Sequence, residues 1–152
     1  MLTSHIRIFP HSQEEFPSED SLTTWLLTGL RGRGGVYHLR SAKQVKDLPP
    51  GSLVLFRYGQ KLVGEAVVKK GKEIFSEKLK ERTLSGKEAE YEAQVTFDPS
   101  SIRLYAPPIP VERIQPHTEK NLLTYPGAYV ELDWTIYARI LEELISRGMF
   151  IL

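Results

Sequence analysis

Pro50-Gly51-Ser52-Leu53-Val54-Leu55-Phe56-Arg57-Tyr58-Gly59-Gln60-Lys61-Leu62-Val63-Gly64-Glu65-Ala66-Val67-Val68 is the stretch that decides the fold. Its alternation predicts two antiparallel strands, Ser52 to Tyr58 and Lys61 to Lys70. They are joined at Gly59-Gln60, where glycine in the first turn position suits a type II′ loop. In the first strand Val54, Phe56 and Tyr58 share one face and Leu53 and Leu55 the other. A strand apolar on both faces belongs inside a closed or covered sheet. In the second, Leu62, Gly64, Ala66 and Val68 alternate with Val63, Glu65, Val67 and Lys69. Glu65, alone among apolar neighbours, is expected either at a ligand edge or paired across the hairpin with Arg57 or a lysine, the pairing being the simpler reading.

Upstream of the hairpin, Pro17-Ser18-Glu19-Asp20 reads as a helix start: Ser18 caps, the two acids suit the helix dipole, and Leu22, Trp25 and Leu26 share one face before Gly29 ends it. The chain then enters Arg31-Gly32-Arg33-Gly34-Gly35 and a strand carrying Tyr37 and His38. A short helix from Ser41 to Leu48 is expected before Pro49-Pro50-Gly51 breaks it. Downstream, Gly71 to Gly86 reads as a long polar excursion, partly helical through Glu73 to Glu81 and mobile. A strand follows with Tyr91, Ala93, Val95 and Phe97 on its buried side. Asp98-Pro99-Ser100 turns into a strand from Ile102 to Tyr105, which Pro107, Pro108 and Pro110 end. A loop over Gln115 to Gly127 and a short strand at Tyr129 to Glu131 precede a helix from about Asp133 to Arg147. Its apolar stripe is Ile136, Tyr137, Ile140, Leu141 and Leu144, and Gly148 suits the C′ position. The closing run Met149-Phe150-Ile151-Leu152 is either a last strand of the sheet or the point where a domain was cut from a longer protein.

These elements sum to an α+β domain over residues 1–152, with a core at about 18–115: a small, curved, mostly antiparallel β-barrel with flanking helices. With 152 residues, 41% of them hydrophobic, the chain is long enough for a real core. The absence of cysteine excludes disulfides and thiolate zinc sites. No secretory segment and no membrane-length apolar run is evident, so no membrane partner and a cytoplasmic location are expected.

Charge is unevenly spread. Residues 31–82 hold 13 of the 20 Lys and Arg but 5 of the 19 Asp and Glu. Such a block in a chain of net charge +1 suggests a polyanion partner, the competing reading being a protein-interaction or small-ligand domain with no nucleic-acid role, in which the basic stretch is merely solvated.

The order of these parts carries a resemblance. A capped helix, a glycine-rich basic turn and a short helix precede the Pro50-Gly51-x-hydrophobic strand and the Leu62-Val63-Gly64-Glu65-Ala66-Val67-Val68 strand. An alternating strand then closes on Pro108-Ile109-Pro110-Val111. Over residues 20–115 this resembles the PUA-like superfamily, in particular its EVE, ASCH and YTH branches. The resemblance implies nucleic-acid binding, DNA first and RNA second, often with a modified, methylated base flipped into an aromatic pocket. It also implies a role as specificity module in a modification-dependent restriction system, beside a fused or associated nuclease or NTPase effector.

A flipped base needs flat apolar surfaces to sandwich it and fixed polar groups at its edge. The candidate pocket residues are Trp25, Tyr37, Phe56, Tyr58 and Tyr105. Helical spacing with Leu22 and Leu26 makes Trp25 equally a core residue, and alternation with Val54 favours packing for Phe56. Tyr37 follows the basic loop directly, while Tyr58 and Tyr105 sit at strand ends. For phosphate, Arg31 and Arg33 are the leading candidates, because guanidinium forks grip phosphate and interleaved glycines let backbone amides approach it. Arg40, Lys43, Lys46, Lys69, Lys70 and Lys72 would extend the track, and His38 would reach a base edge or phosphate.

Enzyme signatures are missing. Glu65 and Lys69 lack nuclease spacing, and no His-Glu-x-x-His, Walker or Gly-x-Ser-x-Gly motif occurs. Neither catalysis nor a cofactor is expected in this domain.

Overall fold

The computed structural model describes residues 5–43, 48–123, 130–147 and 149–151. Its centre is the expected hairpin, β3 (Leu53–Tyr58) and β4 (Lys61–Arg82), with Gly59 at φ +56° in the turn. On the far side of β3 lies β1 (Ile6–His11), in parallel register from Ile6 opposite Leu53 to His11 opposite Tyr58. Local pattern does not predict this strand. β7 (Val130–Leu132) flanks β1, and β6 (Arg103–Pro110) flanks the near half of β4. The last run is a sheet strand: β8 (Met149–Ile151) pairs with β6. β5 (Glu88–Phe97) pairs with the far half of β4, and β2 (Val36–Leu39) covers β5.

The ladder therefore runs β2-β5-β4-β3-β1-β7, with β6 and β8 branching from β4. Every pair but β1–β3 is antiparallel. The mixed α+β class is as expected, but among the described residues no pairing joins the ends of the ladder. The sheet is open and bent, in place of the closed barrel expected from the strand pattern.

β3 has the two-faced burial that its sequence predicts. Val54 and Phe56 join Phe9, Tyr37, Leu39, Val95 and Phe97 in one core, where the sheet folds over itself. Leu53 and Leu55 join Ile6, Ile8 and Tyr105 in a second core. α3 (Trp134–Arg147) covers that second core with Ile136, Ile140 and Leu144, and the short α2 (Val111–Ile114) adds Val111 and Ile114. Full burial of each such side chain contributes about 1.5–3 kcal/mol. A bulge in β4 sets Leu62 opposite Arg57 and Gly64 opposite Phe56, so Val63 is the extra residue. That slip sends Leu62 to the second core and Val63 to the first.

The start of α1 (Glu19–Thr24) is the predicted one: Ser18 and Ser21 exchange capping hydrogen bonds. Gly29 does not end it. The helix continues as a π-helical stretch over Trp25–Leu30, and the glycine leaves room for the Trp25 ring, since a Cβ at Gly29 would sit 2.4 Å from Trp25 Cδ1. Termination falls to Gly34 and Gly35, at φ +71° and +82°.

Two further expectations are corrected. The 71–86 excursion is strand: β4 runs on to Arg82 and forms a bulged ribbon with β5. Its side chains are exposed or half-buried on both faces, Ile74 among them, so its sequence carries no strand alternation. The prolines after Tyr105 do not end β6, which continues to Pro110 opposite Lys61. The helix expected over Ser41 to Leu48 falls mostly outside the described residues, as do Lys46 and Gly148.

Candidate functional site

An open cleft of about 120 Å³ lies where the first core reaches the surface. β1 ends there with His11, the following turn adds Glu15 and Phe16, and α1 and its π-helical continuation contribute Trp25. Arg33, Tyr37 and His38 come from the glycine turn and β2, and Tyr91 from β5. The fourth side is the tip of the β4–β5 ribbon, with Glu81, Arg82, Thr83 and Leu84. Ser85 ties that tip down: its N–H donates to the Glu15 carbonyl at 3.2 Å and its Oγ to the Gln13 carbonyl at 2.7 Å.

The wall is aromatic and continuous. Phe16 and Trp25 have centroids 5.5 Å apart, and Trp25 and Tyr37 meet edge to face at 6.0 Å and 67°. Trp25 and Tyr37 therefore stand side by side along one flank of the cleft with their planes inclined to each other; they are not two parallel walls. The opposing side is the ribbon with Tyr91.

Behind this wall, Tyr37 is fixed by its hydroxyl, 2.7 Å from His11 Nε2. His11 Nδ1 faces the Arg57 carbonyl at 3.2 Å, so Nδ1–H donates there and Nε2 accepts from tyrosine. Burial holds the His11 pKa down at about 4, and the ring is neutral at pH 7. At the polar edge, His38 Nδ1 bonds Glu81, and Arg33 Nη2 lies 3.0 Å from the His38 ring nitrogens. Burial and then Arg33 lower the His38 pKa, against the pull of Glu81. Glu15 is raised by burial, with the Arg40 guanidinium at 3.7 Å opposing that shift.

The predicted residues separate clearly. Trp25, Tyr37, Arg33 and His38 come together in the cleft, and Arg40 stands at its margin over the Tyr91 ring. Phe56 is buried behind Tyr37, with ring centroids 6.2 Å apart. Tyr58 donates to the Phe16 carbonyl at 2.9 Å and braces the wall from outside. Tyr105 belongs to the second core, where it donates to Glu65 at 3.0 Å. Glu65 also takes the Tyr137 hydroxyl at 2.8 Å, so it serves neither a ligand edge nor a pair with Arg57. Arg57 instead donates to the Gly59 carbonyl.

The basic block is less open than its composition suggests. Arg31 Nη2 donates to the Ile102 carbonyl at 2.6 Å, which makes it a strut between helix and sheet. Lys70 pairs with Glu73, and Lys72 reaches the Ala42 carbonyl. Lys78 and Lys80 face Glu90, and Lys78 also faces Glu92, both from β5 just beyond the block. Lys43 and Lys69 are exposed and have no ion pair among the described residues.

Sequence reasoning does not find His11, Glu15, Phe16, Glu81 or Tyr91 as site residues. Four of these lie on β1, the turn after it, or the ribbon, the segments whose strands local pattern hides; Tyr91 reads only as a buried strand residue. Among the described residues no three His, Asp or Glu side chains gather as a metal site would require. No protein-family model matches the chain, and no curated protein matches it.

Proposed function

We propose that this chain is a nucleic-acid-binding domain that holds a flipped base, foremost a methylated base of DNA, against the Trp25–Tyr37 wall. One observation carries the reading. The aromatic residues Phe16, Trp25 and Tyr37 and a set of hydrogen-bonding groups of both signs, Arg33, His38, Glu81 and Glu15, line the same cleft. Aromatic contact returns about 1–3 kcal/mol per base, enough to offset an unstacking cost of a few kcal/mol. Kinship with PUA-like barrels, suggested by the hairpin and its glycine spacing, is part of the same proposal. Any nuclease or NTPase step belongs to an effector, fused or associated.

Phosphate contacts in this reading are few: Arg33 and Arg82 at the cleft, Lys43 and Lys69 beyond it. About two to four contacts correspond to a log–log salt slope of about −2 to −4. The ion-paired state of the remaining block favours a second reading, a free planar heteroaromatic ligand in the same cleft, whose binding would be nearly salt-independent.

The test is fluorescence anisotropy at two salt concentrations. Matched duplexes would be unmodified or carry methylcytosine, hydroxymethylcytosine or methyladenine, with an RNA set alongside. Tighter, salt-sensitive binding of one modified probe, lost in Trp25→Ala, is the expected result. No binding to any probe at low salt overturns the reading.

A further inference from the structure

Six large apolar side chains are exposed among the described residues, and of these Leu84 alone lines the cleft. It is 57% exposed, so it stands at the rim. Its place is the first corner of the turn that ends the β4–β5 ribbon. There the Gly86 N–H donates to the Thr83 carbonyl at 2.9 Å and the Thr83 N–H to the Lys87 carbonyl at 2.8 Å. Gly86, at φ +84°, meets the special conformation this turn requires. The corner before it ordinarily carries a residue suited to turning or to water. Leucine is neither, and the turn closes without any help from its side chain.

The corner is also held in place. Besides the two Ser85 bonds to the Gln13 and Glu15 carbonyls, Thr83 Oγ1 donates to the Glu14 carbonyl at 3.3 Å, and Arg82 Nη1 braces the turn from within at the Gly86 carbonyl, 2.9 Å away. These anchors lie on the segment that leads into Phe16, so the ribbon tip and the aromatic flank of the cleft are fixed to one another. An apolar side chain on a braced turn loses little freedom when something covers it. Arg82, two residues before Leu84, lines the same cleft. A cation and an exposed apolar point beside an aromatic recess match a partner that offers phosphate, stacked bases and one base out of line.

A base that leaves a duplex vacates a place in the stack, and its former neighbours lose their contacts there. Apolar side chains pushed between base steps restore part of that contact, a device general among proteins that distort DNA. We propose that Leu84 is such a wedge: it enters the duplex stack at the position vacated by the base held in the cleft. This rests on the base-binding reading above and adds that the base is taken from a duplex.

The experiment uses the whole chain and anisotropy at one salt concentration. Its probes are duplexes with one central methylcytosine or methyladenine, and the same modified strands unpaired. An unpaired strand has no stack to hold open, so it does not need the wedge. Leu84→Ala should weaken duplex binding about tenfold, the effect of withdrawing most of a leucine side chain from an apolar contact, and change single-strand binding by no more than about twofold. Leu84→Gln, similar in length but polar, should lose as much on the duplex, so the test does not hang on one variant. Leu84→Met, still apolar, should bind the duplex within about twofold of wild type. Thermal melts should be unchanged in all three, since the side chain is largely in water. Equal losses on duplex and single strand would make Leu84 part of the base pocket, which overturns the wedge and leaves base binding intact. No loss on either probe, or wild-type binding to single strands alone, also overturns the wedge only. Failure of the wild type to bind any probe overturns both readings together.

Discussion

The two faces of the central sheet each bury an ionisable group hydrogen-bonded to tyrosine, but only one face is sealed over. Beneath α3, Glu65 is enclosed and its carboxylate is saturated by Tyr105 and Tyr137. On the other face the His11–Tyr37 pair is equally satisfied, but the core there opens sideways into a cleft where Glu15 has no side-chain hydrogen bond among the described residues. Satisfied polar groups under a covering helix fasten structure together, whereas on the open face the Glu15 side chain stays one-quarter exposed to solvent beside the aromatic residues of the cleft. The same alternation that makes β3 apolar on both faces creates both environments.

The sharpest way to break this comparison is to make the same substitution on both sides. Glu65→Ala leaves the Tyr105 hydroxyl buried without its acceptor and opens a cavity, and should cost about 3 kcal/mol. Glu15→Ala should change stability by no more than about 0.5 kcal/mol, since it removes a solvent-accessible carboxylate held only by the loose pair with Arg40. Urea denaturation of both variants measures the difference. Comparable losses would mean that Glu15 is as structural as Glu65.

Next in size is the pH response of the cleft side. His11 has a folded pKa of about 4 against 6.5 for the ordinary group, so the unfolded chain binds more protons between these values. Its contribution is complete above pH 6.5 and is lost as pH falls toward 4, about 3 kcal/mol in all. Glu65 runs the other way, because burial raises its pKa and the folded state binds the extra proton. Its share of stability falls as pH rises above 4.5. The difference between wild type and His11→Gln isolates the histidine, and a difference that does not grow with pH over 4 to 6.5 would refute the assignment.

Smaller effects come from the hydroxyls. Tyr105→Phe removes a bond to a carboxylate and should cost about 2 kcal/mol, whereas Tyr37→Phe removes a neutral bond to His11 and should cost about 1 kcal/mol. Thermal melts of the two variants rank them directly.

Much of this architecture is legible in the chain. The β3–β4 hairpin, the Ser18 cap, the alternating face of β5 and the stripe of α3 all follow from local period and turn chemistry, which do not depend on distant partners. Trp25 and Tyr37 are legible as candidates, Trp25 as an aromatic at helical spacing with Leu22 and Leu26 and Tyr37 because it follows the basic glycine turn directly. The rest depends on tertiary contacts. β1 is short, and its Pro10 and His11 disguise a central strand. The ribbon lacks apolar alternation because both its faces are largely wet, so nothing in its sequence marks the tip, with Glu81 and Leu84, as a wall of the cleft. The charge block misleads for a related reason: Glu90 and Glu92, which pair with Lys78 and Lys80, lie across the ribbon and outside the 31–82 window.

That last point sets the finest test, within the basic residues themselves. Arg31 and Lys69 both lie in the charged block, yet Arg31 is held by the Ile102 carbonyl while Lys69 is exposed to solvent. Arg31→Ala should lower stability by about 1 kcal/mol and leave the salt dependence of nucleic-acid binding unchanged. Lys69→Ala should leave stability unchanged and reduce the magnitude of the salt slope by about 0.9, the change expected when one phosphate is no longer neutralised. Anisotropy titrations at several salt concentrations, paired with melts, separate the two. An unchanged slope in Lys69→Ala together with a reduced one in Arg31→Ala would mean that the hydrogen bond to Ile102 gives way to phosphate on binding, and that the basic turn works as its composition alone suggests.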